Sequence, residues 1–180
     1  MHLYRQAAFA AYPSQVLHLC FIDRLTFILQ SSHQRRFIED VTTVESEDTP
    51  LIFSRSSTAW DSHPRNYYEI EQFATTVGEL LFGKRLDFAW CHLAICASQL
   101  GEIVTQVNNH DLSVLAEMTL AIREGVRMRD VDWLEWEDPF LLNCSERDLK
   151  IEREKSVKET EKRLSYVMPM IQALVKYVQG

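Results

Sequence analysis

Apolar side chains recur at three- and four-residue spacings along most of this chain, the period at which one face of an α-helix is buried. Residues 3–11 form a first short apolar helix. After Pro13, Ser14 is placed to cap a helix reaching about Ser31. Its apolar positions Val16, Leu17, Cys20, Phe21, Leu25, Ile28 and Leu29 cover more than one face and suit the centre of a core. From Tyr67 onward, Ile70, Phe73, Ala74, Val77, Leu80 and Leu81 describe one helical face that Gly83 ends. A longer helix is predicted over about 87–107, with Trp90, Leu93, Ala94, Ala97, Leu100, Ile103, Val104 and Val107 in step. Asn108-Asn109 closes it, and Asp111 opens the next, which carries Leu115, Met118, Ala121, Ile122 and Val126.

Two stretches break this rhythm. Residues 41–66 are rich in Ser, Thr and Asp and hold two prolines, so an irregular insertion or small hairpin is expected, with short strands at 41–44 and 51–53 and the highest mobility in the chain. From Ser145 the composition turns to alternating Lys, Arg and Glu. Ser145-Glu-Arg-Asp148 has the form of a capping box, and Val157, Thr160, Leu164, Val167, Ile171, Leu174 and Val178 alternate spacings of three and four. That seam makes a long amphipathic C-terminal helix, packed on its own core or on a partner, with Pro169 kinking or restarting it. The predicted fold is mostly α: a single-domain bundle of about five to seven helices, with a core over 1–144 and a charged helical segment over 145–180.

Composition narrows the function classes. The five glycines are scattered, so neither a Walker loop nor a dinucleotide fingerprint is present, since both need clustered glycines to bring backbone N–H groups against phosphate. The formal charge of −7 disfavours nucleic acid and acidic membranes. It is unevenly spread: residues 1–44, 45–140 and 141–180 sum to +1, −10 and +2. The N-terminus lacks the form of a secretion signal, and the apolar run from Val16 to Leu29 is too short and too charged to span a bilayer. Four cysteines read as reduced thiols, so a cytoplasmic protein is expected.

Candidate chemistry is thin. Cys91-His92-x-x-x-Cys96 puts His92 and Cys96 one turn apart on the predicted helix, but a tetrahedral zinc needs further ligands. His110-Asp111, with His92 and Asp130 as outer positions, is similar to the metal-binding pair of HD-type phosphohydrolases. The segment from His92 to Val104 loosely resembles the first motif of all-α nucleoside-triphosphate pyrophosphohydrolases, in which acids on facing helices hold magnesium against a triphosphate. Glu102 keeps that pattern, Ser98 and Gln99 depart from it, and Glu135-Trp-Glu-Asp138 is the best match to the later acidic pair. These resemblances imply a divalent-metal-dependent nucleotide hydrolase, with Glu102, His110 and Asp111 as metal candidates.

The most unusual local composition is Asp130-Val-Asp-Trp-Leu-Glu-Trp-Glu-Asp-Pro-Phe140. Trp133 and Trp136 would share a face of a short helix, ringed by Asp130, Asp132, Glu135, Glu137 and Asp138. Aromatic anchors surrounded by charge suit a binding hot spot. The preferred expectation is therefore a non-enzymatic interaction protein (adaptor, inhibitor or immunity-type). It would need no cofactor and would bind a protein with a basic patch or a second copy of itself, with the metal-dependent hydrolase as the alternative.

Overall fold

The computed structural model describes residues 2–107, 111–136 and 145–179. Its centre is a four-stranded mixed sheet of β1 (Val16–Cys20), β2 (Leu51–Arg55), β3 (His92–Cys96) and β4 (Arg127–Val131), in the order β1-β3-β2-β4. β3 runs antiparallel to both of its neighbours, and β2 pairs parallel with β4. Among the described residues, nine α-helices accompany the sheet: α1 (His2–Ala10), α2 (Ile22–Gln30), α3 (Gln34–Thr42), α4 (Ser57–Ser62), α5 (Arg65–Phe82), α6 (Ala97–Gln106), α7 (Ser113–Ile122), α8 (Glu146–Lys155) and α9 (Val157–Gln179). The chain is thus an α/β fold, and the expected all-helical bundle of five to seven helices is overturned.

The physical reason lies in two apolar runs. The helix expected over 14–31 is β1 followed by α2, and the helix expected over 87–107 is β3 followed by α6. β3 is buried at all five positions, because helices cover both sides of the sheet. A strand buried on both faces shows no alternation, and a short apolar run reads equally as helix or strand. The segment 41–66 is likewise no irregular insertion. It holds the end of α3, a single 3-10 turn at Ser46–Asp48, β2 in the middle of the sheet, α4 and the start of α5.

Side chains alternate across the sheet and build two cores. Leu19, Ile52, Leu93 and Ile95 pack against α5, α6, α7 and α9. Leu51, Phe53, Ala94 and Val131 pack against Ile28 of α2, Phe37 of α3 and the indole of Trp133. The edge strand β4 is mostly polar, and Arg127 ties it down by donating to the carbonyls of Glu47 and Asp48 and to the Asp48 carboxylate. α5 ends where expected, at Gly83, whose φ of 67° lies in the left-handed region that glycine adopts freely. α9 runs through Pro169 as one helix and packs against α5 and α7. Among the described residues, no helix is long and apolar enough to cross a membrane.

One contact between α5 and the core gives a direct test of packing. A Cβ built on Gly78 would lie 2.0 Å from the ring of Phe88, which is fully buried and has no open side to move toward. Gly78→Ala is expected to destabilise the fold by about 1–3 kcal/mol through overpacking, read as a lower urea midpoint at unchanged slope.

Candidate functional site

A cleft of about 320 Å³ opens beside the carboxyl end of β2, walled by the start of α2, by α5 and by α9. Its floor is a buried ion network. Arg55, the last residue of β2, has Nη1 3.2 Å from Glu71 Oε2 and 3.7 Å from Asp87 Oδ2, and its Nη2 donates to Cys91 Sγ at 3.2 Å. Arg163 of α9 donates from Nη1 to Glu71 Oε1 at 2.8 Å, with its guanidinium 3.8 Å from the centre of the Tyr67 ring. Glu71 is buried on α5 and so lies between two guanidinium groups.

Nearer the mouth, Arg24 donates to the Trp136 carbonyl at 2.9 Å and pairs with Asp23 at 3.5 Å. Lys162 also lines the cleft, and among the described residues its ammonium has no carboxylate within ion-pair distance. Among the described residues, the lining carries four cations (Arg24, Arg55, Lys162, Arg163) against two carboxylates (Asp23, Glu71), with Asp87 behind Arg55 as a third, on a molecule whose net charge is −7. Phe21, Tyr67, Trp136 and Tyr166 supply aromatic walls.

The ionisable groups respond to this setting. Burial, followed by the charges of Arg55, Arg24 and Arg163, holds His63 neutral, well below the ordinary histidine value, although its Nδ1 is bonded to the Ala59 carbonyl at 2.8 Å. Burial works against the Arg55 charge, but the Cys91 sulfur that accepts from its Nη2 and the carboxylates of Glu71 and Asp87 outweigh it and raise the guanidinium above its usual value. Burial pushes the Cys91 thiol up, so this cysteine is protonated at neutral pH and is not poised as a nucleophile. Burial, then a hydrogen bond from the Tyr67 hydroxyl to Glu159 Oε2, pushes Tyr67 up to about 12.

The His63 shift has a definite sign. A histidine neutral in the fold and free to protonate near pH 6.5 when unfolded stabilises the protein above that value, and the contribution is lost as pH falls below it. Stability is expected to fall on acidification from pH 7 to 5, with His63 contributing up to about 1.4 kcal/mol per pH unit. His63→Gln should flatten that part of the slope, measured as urea midpoints across the range.

The described part of the acid- and tryptophan-rich stretch, residues 130–136, does not form the surface expected of it. Trp133 is 1% exposed and Trp136 is 4% exposed, and no helix holds them on a shared outer face. Trp133 fills the core between the sheet and α3, whereas Trp136 packs on Tyr67 and Leu149 and lines the cleft. The described acids are engaged within the chain: Asp130 accepts from Ser54, Asp132 from Ser56, and Glu135 pairs with His33 at 3.3 Å. Glu137 and Asp138 lie outside the described residues, as does His110.

The other candidates separate as well. Glu102 is exposed on α6, and Asp111 accepts from the Ser113 N–H at the entry to α7; among the described residues neither joins a group of three or more metal-ligating side chains. Along the C-terminal seam, Val167 and Leu174 are buried and Ile171 packs on the same core, whereas Val157, Leu164 and Val178 are exposed. Arg24, Arg55, His63, Glu71, Lys162 and Arg163 were not singled out from the sequence. They are separated by up to 139 positions and share no spacing, so only the fold assembles them. No known protein family matches this chain, and neither does any curated protein or solved structure.

Proposed function

We propose that this chain is a binding protein whose cleft takes a small organic anion, a carboxylate or phosphate carried on an aromatic body. The observation that supports it is the excess of cations among the described residues of a concave lining, on an otherwise acidic protein. Positive charge gathered on partly dry walls focuses the field and favours an anion, with Lys162 and Arg24 at the mouth and the Arg163 guanidinium held in place by Glu71 and Tyr67. The aromatic walls give the ligand's body something to stack on, and 320 Å³ is at the small end of ligand pockets.

Titration calorimetry with phenyl phosphate, benzoate and phenol tests this. The two anions are expected to bind, with phenol, the same ring without the charge, weaker by roughly tenfold or more. Lys162→Gln should weaken phenyl phosphate by about tenfold with little loss of stability, because the side chain is exposed and has no ion-pair partner among the described residues. Equal affinity for phenol and benzoate would refute the reading.

A protein partner is the second reading. It is favoured by large apolar side chains left open near the N-terminus: Leu3 (74%), Phe9 (84%), Tyr12 (81%) and Ile22 (76%). Light scattering of the full chain as a function of concentration separates self-association from a monomer. The nucleotide-hydrolase alternative gains no support, because Glu102, Asp111 and Glu135 form no ligand cluster among the described residues.

A further inference from the structure

A second polar cluster sits on the β1–β3 pair, apart from the cleft. In the strand register Cys20 lies directly opposite His92, and His18 follows two residues away on the same side of β1. His92 Nδ1 and His18 Nε2 are 3.0 Å apart, and the ligand atoms of His18, Cys20 and His92 all lie within 4.8 Å of one another. The pairing suggested by the sequence, His92 with Cys96, fails because both belong to a strand: four steps along it separate them by about 13 Å, and Cys96 instead contacts Thr49 Oγ1 at 3.1 Å. The sheet register replaces Cys96 with Cys20.

We propose that His18, Cys20 and His92 form a binding site for a single Zn²⁺ ion. A tetrahedral zinc with ordinary bond lengths sets its nitrogen ligands about 3.3 Å apart and its nitrogen and sulfur ligands about 3.6 Å apart. The cluster is within rotamer adjustment of both edges. Two imidazoles and a thiolate suit a borderline-soft cation, and the absence of an oxygen among the three disfavours magnesium and calcium.

Two further observations point to a ligand. His92 is 0% exposed, and among the described residues its Nδ1 faces only the Nε2 of His18, so two imidazole nitrogens converge in the core with no carboxylate or carbonyl between them. The rings around the pair (Phe37, Phe53 and Trp133) meet the imidazoles edge-on or tilted and restrict their rotation, holding the nitrogens in place before any ion arrives. His18 and Cys20 are only partly buried and stand on β1, an edge strand of the sheet, which gives the ion an entry path and leaves a fourth position for water.

Cobalt(II) titration of the chelator-treated full chain tests the site, because a thiolate bound to cobalt has a charge-transfer absorption that imidazole and carboxylate ligands lack. One equivalent of Co²⁺ is expected, displaced by Zn²⁺, with that absorption present. Cys20→Ser should abolish the charge-transfer band, and His18→Gln should weaken zinc at least tenfold. Both side chains are partly exposed, so these variants keep the fold, whereas changes at His92 disturb the core. Zinc should raise the melting temperature of the parent chain and not that of the Cys20→Ser variant. No saturable uptake by the parent chain, or an unchanged spectrum in Cys20→Ser, overturns the proposal. Neither result bears on the cleft, whose residues are different.

Discussion

Trp133→Ala is expected to destabilise the protein by about 3–5 kcal/mol, the range for deleting a large aromatic from a packed core. The indole is 1% exposed and touches three rings, with centroids 5.0 Å from Phe37, 5.2 Å from Phe53 and 5.1 Å from His92. Its Nε1–H donates to Asp40 Oδ2 at 2.9 Å, so truncation also strips a donor from a buried carboxylate whose other partner is the exposed Arg36. Trp133→Phe separates the two effects: it keeps most of the volume and loses the hydrogen bond, at about 1–2 kcal/mol. Urea denaturation of the three proteins at pH 7 orders them as parent, Phe, Ala. A Trp133→Ala protein as stable as the parent would mean that the indole is not in the core. A loss of partner capture in that variant reports unfolding, not a lost anchor.

Arg55→Met is the second large effect. The variant leaves Asp87 buried without its cation and Glu71 with only Arg163, and an uncompensated buried charge costs about 3–5 kcal/mol. Burial already raises Asp87 above the ordinary carboxylate value, and Arg55 is the main influence opposing that rise. Removing the arginine should push Asp87 further up and make stability more dependent on pH near neutrality. The double variant Arg55→Met/Glu71→Gln is expected to be more stable than the sum of the single changes predicts. Each single change loses the Arg55–Glu71 attraction that the double change loses only once, while Asp87 lacks its cation whenever Arg55 is gone. Additive losses in that cycle would show that the two groups do not act as a pair.

What was legible in the sequence is what local chemistry decides. α5 and its glycine stop, the short α1, and the start of α8 at Ser145, whose hydroxyl accepts from the Asp148 N–H, follow from spacing and end signals. The strands were hidden for a different reason. His92–Cys96 is covered on both faces, so Leu93, Ala94 and Ala97 fall into helical step by coincidence, with the strand ending at Cys96 and α6 beginning at Ala97. β4 has only Met128 and Val131 as apolar residues and is held by the pairing of its backbone with the buried β2. Its tertiary pairing outweighs any local preference. The Asp130–Phe140 stretch is unusual in composition, but aromatic density among acids describes a core plug as well as a surface anchor. Burial, which local composition does not specify, decides between them. The cleft was invisible because Arg24, Arg55 and Arg163 meet only after β2, α5 and α9 have packed.

The central claim, that this cleft takes a small anion, is tested most directly by following backbone amide resonances of the full chain while phenyl phosphate is added. The account predicts saturable shifts concentrated at Arg24, Arg55, Cys91, Lys162 and Arg163, weakened in parallel by Lys162→Gln. Saturable shifts that leave these residues unmoved, or none at millimolar ligand, would contradict it.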